Sequence, residues 1–187
     1  MDLQQTEKGK SLAWFKLADL IARGEREKAL SVFRLLAHSL PDRAYALQLE
    51  GDILWYLDDT NATEKYKQAA FLYQQEKRWI EAIAVYEHLL FQHSDSVHII
   101  SELIIFYAII DWQDKFQERF DGLLVLVNNG KSHVTDLGRV VSEVVSLVDP
   151  SVSSSKGWIT EWLIHTVHNS LLPIEIIDQL NDVVKRS

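Results

Sequence analysis

Three side chains near the end of the chain have the types and the spacing that could bind a metal ion. Glu161, His165 and His168 stand at positions i, i+4 and i+7, so a helix would present one carboxylate and two imidazoles on one face. Neutral imidazole and carboxylate groups are common ligands of divalent transition metals. The alternative is an ordinary polar face opposite the apolar residues Ile159 and Leu163. The sequence alone leaves both interpretations open.

The rest of the sequence contains no pattern that indicates catalysis. It has no Gly-rich phosphate loop, no nucleophile elbow and no zincin signature. It also contains no cysteine, which excludes disulfides, thiolate zinc sites and cysteine nucleophiles and fits a reducing compartment. We therefore expect a cytoplasmic protein that is not an enzyme and uses no cofactor.

The composition favours long helices joined by short turns. The 187 residues are enough for one sizeable domain or a short solenoid. They are 47% hydrophobic and 25% charged, as in an ordinary water-soluble domain. Seven glycines and three prolines are too few for a loop-rich β protein. An all-α fold is the expectation.

The charge argues against nucleic acid and membrane partners. The formal net charge is −8, whereas nucleic acid binding depends on Lys and Arg that neutralise phosphates. Anionic membranes are disfavoured for the same reason. The most apolar run, residues 97–110, contains His98, Ser101 and Glu102 and is shorter than the roughly 20 apolar residues of a membrane span. We expect no membrane-spanning segment.

Apolar residues recur at the spacing of an α-helix along almost the whole chain. The pattern predicts about ten helices, at residues 11–23, 26–39, 43–57, 62–75, 79–90, 96–110, 112–128, 134–148, 158–169 and 173–186. Many valines make a strand the alternative for 134–148, although a period of two fits that segment less well.

These helices suggest four segments. We predict a flexible N-terminal lead-in at 1–10, a helical array at 11–149, a Ser-rich break at 150–157, and a C-terminal helical hairpin at 158–187 that packs on the array. The last helix is too apolar for a simple solvated cap, so a homodimer through the C-terminal helices is possible.

The first predicted pair of helices resembles a tetratricopeptide (TPR) repeat. The residues that carry the resemblance are Trp14, Leu17, Ala18, Ile21, Ala29, Phe33 and Pro41. The family has Gly where Ala18 stands and Tyr where Ile21 stands. Small residues at Ala18 and Ala29 would let two antiparallel helices approach closely.

The resemblance continues as far as Ser94. Gly51 stands where the family has its close-approach glycine, and an isolated helical Gly costs about 1 kcal/mol relative to Ala, so close packing is the expected reason for it. The segment that begins at Tyr66 fits the pattern in two ways. It can complete the repeat that starts at Leu47, or it can open a new repeat that ends at Ser94. The sequence leaves the pairing of these helices open. The resemblance implies a right-handed stack of antiparallel helical hairpins, an α-solenoid.

Arrays of this family bind extended peptides along a concave face that the first helix of each pair lines. The corresponding flanks of this chain carry Phe15 and Asp19 on the first helix, and Gln48, Asp52 and Trp55 on the third. The Lys, Asn and Arg with which one subclass grips a C-terminal carboxylate are absent from these places. We expect a non-catalytic interaction module, an adaptor, scaffold or co-chaperone, whose protein or peptide partner is both basic and apolar.

Two other functions remain open at this point. The protein could be a constant structural subunit of a larger assembly, whose apolar C-terminal half is covered by its neighbour. It could instead be a metal-dependent protein that uses Glu161, His165 and His168.

Overall fold

A computed structural model describes residues 3–147 and 157–168, and the side chains of 11–147 and 157–166. The described residues form nine helices and no strand. These are α1 (Leu3–Ala22), α2 (Arg26–Ala37), α3 (Arg43–Tyr56), α4 (Ala62–Gln75), α5 (Trp79–Gln92), α6 (Val97–Ile109), α7 (Gln113–Asn128), α8 (Val134–Leu147) and α9 (Gly157–His168). The prediction of an all-α protein is confirmed for this part of the chain, and α8 is a helix rather than the alternative strand.

Most helix bounds agree with the sequence pattern. Helix α4 spans the predicted residues, whereas α1 begins at Leu3 although we expected its start at Ser11. Residues 3–10 are therefore helical, because Gln, Glu and Lys in this segment favour a helix. The helix predicted at 173–186 and most of the break predicted at 150–157 lie outside the described residues, so the C-terminal hairpin stays a prediction.

The chain divides into two compact units, residues 1–85 and 86–187, and the division falls inside α5. In the first unit α1 packs on α2, α2 contacts α3, and α3 packs most extensively on α4. In the described part of the second unit, α6 packs on α7 and α8, and α7 contacts α8. The pairing that the sequence left open is thus α3 with α4, as expected for a repeat that starts at Leu47.

Helix α6 is covered on several sides, as its apolar sequence predicts. All its residues from 99 to 108 are buried except Glu102. Helix α9 packs on α7 through aromatic rings: Trp162 lies edge-on to Phe120, with 4.8 Å between the ring centroids. No helix in the described part of the chain is long and apolar enough to cross a membrane.

Five helices in the described residues end in the same left-handed turn. The residues with positive φ at these turns are Gly24, Asp58, Lys77, Asp111 and Gly130. After α4, for example, the Arg78 N–H donates to the Tyr73 carbonyl at 2.8 Å and the Lys77 N–H donates to the Gln74 carbonyl at 3.0 Å, which is a Schellman motif. The motif satisfies the last carbonyl groups and turns the chain back toward the next helix.

Lys77 provides a test of this turn, because its φ of 58° is unfavourable for a residue with a Cβ. Replacing it by glycine (Lys77→Gly) removes that cost but adds chain entropy to the unfolded state. We expect the free energy of unfolding to rise by about 0.5–1 kcal/mol in urea denaturation. The matched control is Lys67→Gly in the exposed interior of α4, which should lower it by about 1 kcal/mol. A loss of stability in Lys77→Gly would contradict the assignment of the turn.

Gly51 has the close-packing role that the sequence predicts. A Cβ atom at this position would lie 2.9 Å from both Cδ1 and Cε1 of Tyr66, and that ring is buried at the α3–α4 contact. Ala29 is likewise fully buried, as expected.

The prediction for Ala18 is wrong, because this residue is exposed. Helix α1 has its extensive contact with α2, and the buried residues on its inner stripe are Leu17 and Leu20. Trp14 and Ile21 are only half-buried. The stripe of α1 that packs on α2 contains Leu17 and Leu20, and Ala18 lies outside this stripe.

Gly51→Ala should place a methyl group against the Tyr66 ring and lower the free energy of unfolding by about 1–2 kcal/mol, since overpacking outweighs the gain in helix propensity. In a Tyr66→Ala background the same change should instead raise it by about 0.5–1 kcal/mol. Gly122→Ala is the control, because Gly122 is exposed in α7 with open space around it, and this change should also stabilise. Chemical denaturation of Gly51→Ala, Tyr66→Ala, the double variant and Gly122→Ala measures these changes in the free energy of unfolding. The same sign for Gly51→Ala in both backgrounds would exclude the steric role.

Candidate functional site

The predicted site residues on α1, Phe15 and Asp19, are both on the surface, but the carboxylate of Asp19 already has a partner in its own helix. Phe15 is 72% exposed. Asp19 is exposed and forms an ion pair with Arg23 one turn later, with Nη2 2.9 Å from Oδ2 and Nε 3.0 Å from Oδ1. The negative charge that the sequence places at Asp19 is therefore compensated within its own helix.

The predicted site residues on α3 lie together along the edge that faces α4. The Tyr73 hydroxyl donates to Oε1 of Gln48 at 2.9 Å, and the Tyr66 hydroxyl donates to Oδ1 of Asp52 at 2.7 Å. Trp55 follows one turn later and is 46% exposed. Two buried tyrosines of α4 thus hold the amide and the carboxylate of α3 in fixed positions.

Asp52 differs from Asp19 because no described Lys or Arg forms an ion pair with it. Its described partner is the Tyr66 hydroxyl, and burial, together with the hydrogen bond to Asp52, raises the pKa of Tyr66 far above its usual value. Tyr66 therefore remains a neutral donor at any physiological pH. The carboxylate of Asp52 is exposed, with Oδ2 available to a further donor.

Two aromatic residues of α3 that we did not predict as site residues belong to the same surface. Tyr45 is 45% exposed and Tyr56 is 65% exposed. They stand seven residues before and four residues after Asp52, so all three lie on one stripe of the helix. This spacing could have indicated the two tyrosines as site residues. A single sequence does not, however, distinguish an aromatic residue that is exposed from one that is buried.

The structure brings the predicted residues together as two groups, one on α1 and one on α3. The extensive contacts in this unit pair α1 with α2 and α3 with α4, and α2 contacts α3. A single groove that contains both groups therefore stays a prediction.

Arg78 fixes the start of α3 relative to the turn between α4 and α5. Asp42 caps α3 by accepting the Tyr45 N–H at 2.9 Å, and its other carboxylate oxygen accepts Nη1 of Arg78 at 2.7 Å. The Arg78 Nε also donates to Glu81 at 2.9 Å, and its guanidinium lies 4.4 Å from the centroid of the Tyr73 ring. Burial, with the charge of Asp42, raises the pKa of Tyr73 to about 12, so Tyr73 stays protonated and continues to orient Gln48.

The Arg78 network should stabilise the fold only while its carboxylates are charged. Partial burial raises the pKa of Asp42, but the Tyr45 N–H and the Arg78 guanidinium together hold it below its usual value. The hydrogen bond from Arg78 lowers the pKa of Glu81. Since both pKa values are lower in the folded state, the stabilisation is present above the unfolded values near pH 4 and is lost as the pH falls through the folded values.

Arg78→Met should therefore lower the free energy of unfolding by about 1 kcal/mol at pH 7, and by less at pH 3. The control is Arg43→Met, which changes an exposed arginine of α3 that forms no described ion pair. Urea denaturation of both variants and the wild type across this pH range measures the effect. A loss in Arg78→Met that stays constant from pH 7 to pH 3 would show that the carboxylates do not contribute.

A separate pocket opens between α2 and α3. It encloses about 370 Å³, and its lining residues are Phe33, Ala37, His38, Leu40, Arg43, Ala46, Leu47 and Glu50. Glu50 is paired with Lys65 at 3.0 Å. The pocket has a mixed polar and apolar lining, and the α3 residues that line it lie on a different stripe from Asp52.

The structure does not bring the possible metal ligands into a described site. Glu161 and His165 are exposed on α9, while the side chain of His168 lies outside the described residues. Among the side chains that are described, no group of three His, Asp or Glu could hold a metal ion. The metal alternative stays a prediction.

The chain matches no protein-family model, no curated protein and no solved structure. The resemblance to TPR repeats therefore depends on the residues themselves and on the way the helices pair.

Proposed function

We propose that this protein is a non-catalytic interaction module, an adaptor, scaffold or co-chaperone, that binds a segment of another protein on the exposed faces of α1 and α3. The observation that carries the proposal is the surface of α3, where Asp52 keeps an unpaired negative charge beside exposed Trp55 and Tyr56. Aromatic rings with a polar group between them are typical of interface hot spots.

The pairing of the helices supports a TPR-like repeat in the first unit. Helices α1 and α2 form one pair and α3 and α4 form the next. Gly51 lies against Tyr66 at the centre of the second pair, which is where the family has its close-approach glycine. In such an array the first helix of each pair, here α1 and α3, provides the binding surface.

The carboxylate of Asp52 favours a partner that is basic as well as apolar. Asp52 attracts a Lys or Arg of the partner, and Phe15, which is 72% exposed, offers an apolar contact. Asp19 contributes less than the sequence suggests because Arg23 compensates its charge.

Selection from a random peptide library displayed on phage tests the proposal, because it does not require the natural partner to be identified. The wild-type chain should enrich peptides in which Lys or Arg stands beside apolar residues. The variant Asp19→Lys with Asp52→Lys reverses the charge of the surface, so it should bind those peptides at least about tenfold more weakly, a difference of about 1.4 kcal/mol. Fluorescence anisotropy with synthetic copies of the enriched peptides measures the affinity.

The matched control reverses two exposed carboxylates on other helices, Glu64→Lys with Asp121→Lys, and should bind as wild type does. Far-UV circular dichroism checks that both double variants are folded. If the Asp19/Asp52 variant is folded and binds every enriched peptide with wild-type affinity, these faces of α1 and α3 are not the binding site.

A constant structural subunit is the second candidate, and a feature of the second unit favours it. Phe91 of α5 is 86% exposed and Val125 of α7 is 55% exposed, so apolar side chains of this unit are open to a neighbouring subunit. Light scattering on the purified chain separates the two functions. A monomer that stays soluble supports an adaptor, whereas aggregation without a partner supports a subunit.

A further inference from the structure

A carboxylate with two exposed aromatic neighbours lies at the surface of α3, on the edge where the Tyr66 hydroxyl of α4 reaches it. Asp52, Trp55 and Tyr56 stand at i, i+3 and i+4, so both rings follow the carboxylate by one helical turn on the same side. Trp55 is 46% exposed and Tyr56 is 65% exposed. Tyr45 lies two turns before Asp52 on the same stripe and is 45% exposed.

The carboxylate is held in place by the packing beneath it. The Tyr66 hydroxyl donates to Oδ1 of Asp52 at 2.7 Å. The Tyr66 ring is fixed in turn against Gly51, where no side chain would fit. Oδ2 of Asp52 is left to accept a hydrogen bond from outside the chain.

Three other carboxylates of the same unit already have cations. Asp19 pairs with Arg23, and Glu50 pairs with Lys65. Asp59, which is buried, pairs with Arg26. The charge of Asp52 has no such partner among the described residues, and exposed Trp55 and Tyr56 follow it by one turn of α3.

We propose that Asp52, Trp55 and Tyr56 bind the guanidinium group of an arginine in a partner segment. The planar guanidinium can donate to Oδ2 of Asp52 while its face lies on an aromatic ring, and both contacts favour a cation. Arginine fits better than lysine, because an ammonium group is more strongly hydrated and cannot stack. The proposal rests on the proposed function for the source of this arginine, but the site itself can be tested with a small probe.

The probe is N-acetylarginine amide, and its neutral isostere N-acetylcitrulline amide is the comparison. The indole N–H signals of the full chain are recorded by NMR, and the Trp55 signal is assigned from its loss in Trp55→Phe. Arginine amide should shift this signal in a saturable way at millimolar concentration. Citrulline amide, which keeps the shape and loses the charge, should shift it at least about tenfold more weakly.

Asp52→Asn removes the charge but keeps an oxygen that can accept from Tyr66, so the fold is preserved. We expect this variant to bind N-acetylarginine amide about tenfold more weakly than the wild type does. Tyr56→Leu should bind it several-fold more weakly. Glu64→Gln removes the charge of an exposed carboxylate on α4 in the same way, and it should leave the affinity unchanged. Equal shifts with arginine amide and citrulline amide, or an Asp52→Asn variant with wild-type affinity, would overturn the proposal.

The outcomes also separate this proposal from the proposed function. If peptides are enriched that lack arginine and bind Asp52→Asn normally, the protein is an interaction module and the guanidinium site is refuted. If arginine amide binds as expected but no peptide is enriched, the site is supported and the proposed function fails.

Discussion

The contact between Gly51 and the Tyr66 ring determines how closely α3 and α4 approach in the first unit. A Cβ atom at Gly51 would overlap the ring, so the backbone of α3 can lie against α4 only because this residue has no side chain. Ala69 and Ala70 of α4 are also fully buried and have small side chains. Close backbone approach favours dense packing, and α3 with α4 is the most extensive helix pair in the unit.

The same contact orients the polar groups of the candidate site. A tyrosine that is fixed by its ring presents its hydroxyl at a defined point, and for Tyr66 that point is Oδ1 of Asp52. Tyr73 does the same for Gln48, and Arg78 holds the Tyr73 ring on one side while it binds the N-cap Asp42. Side chains at the surface of α3 thus lose little freedom on binding, which reduces the entropic cost of recognition.

In the second unit a tyrosine hydroxyl also donates to a carboxylate, but there an arginine compensates the charge of that carboxylate. The Tyr107 hydroxyl of α6 donates to Glu87 of α5 at 2.7 Å, and burial, with the hydrogen bond to Glu87, raises the pKa of Tyr107 well above its usual value. Here Arg119 of α7 binds the same carboxylate through two hydrogen bonds, at 2.7 and 3.0 Å. The charge of Glu87 is compensated inside the unit, whereas that of Asp52 is not. This difference explains why we place the binding surface on α3.

The helices and the close-approach glycine could be predicted from the amino-acid sequence. Only the packing decided which side chains of each helix are exposed and which carboxylates lack an ion-pair partner. Helical periodicity is a local property, so the bounds of α4 and the role of Gly51 could be predicted. Whether Ala18 is covered depends on which stripe of α1 packs on α2, and Ala18 lies outside that stripe and is exposed. Whether the charge of a carboxylate is compensated depends on cations a few ångströms away, which sequence spacing does not reveal when the cation is on another helix. Asp52 was predicted as a site residue from the sequence, whereas Tyr56 joined it only because packing left its side chain exposed.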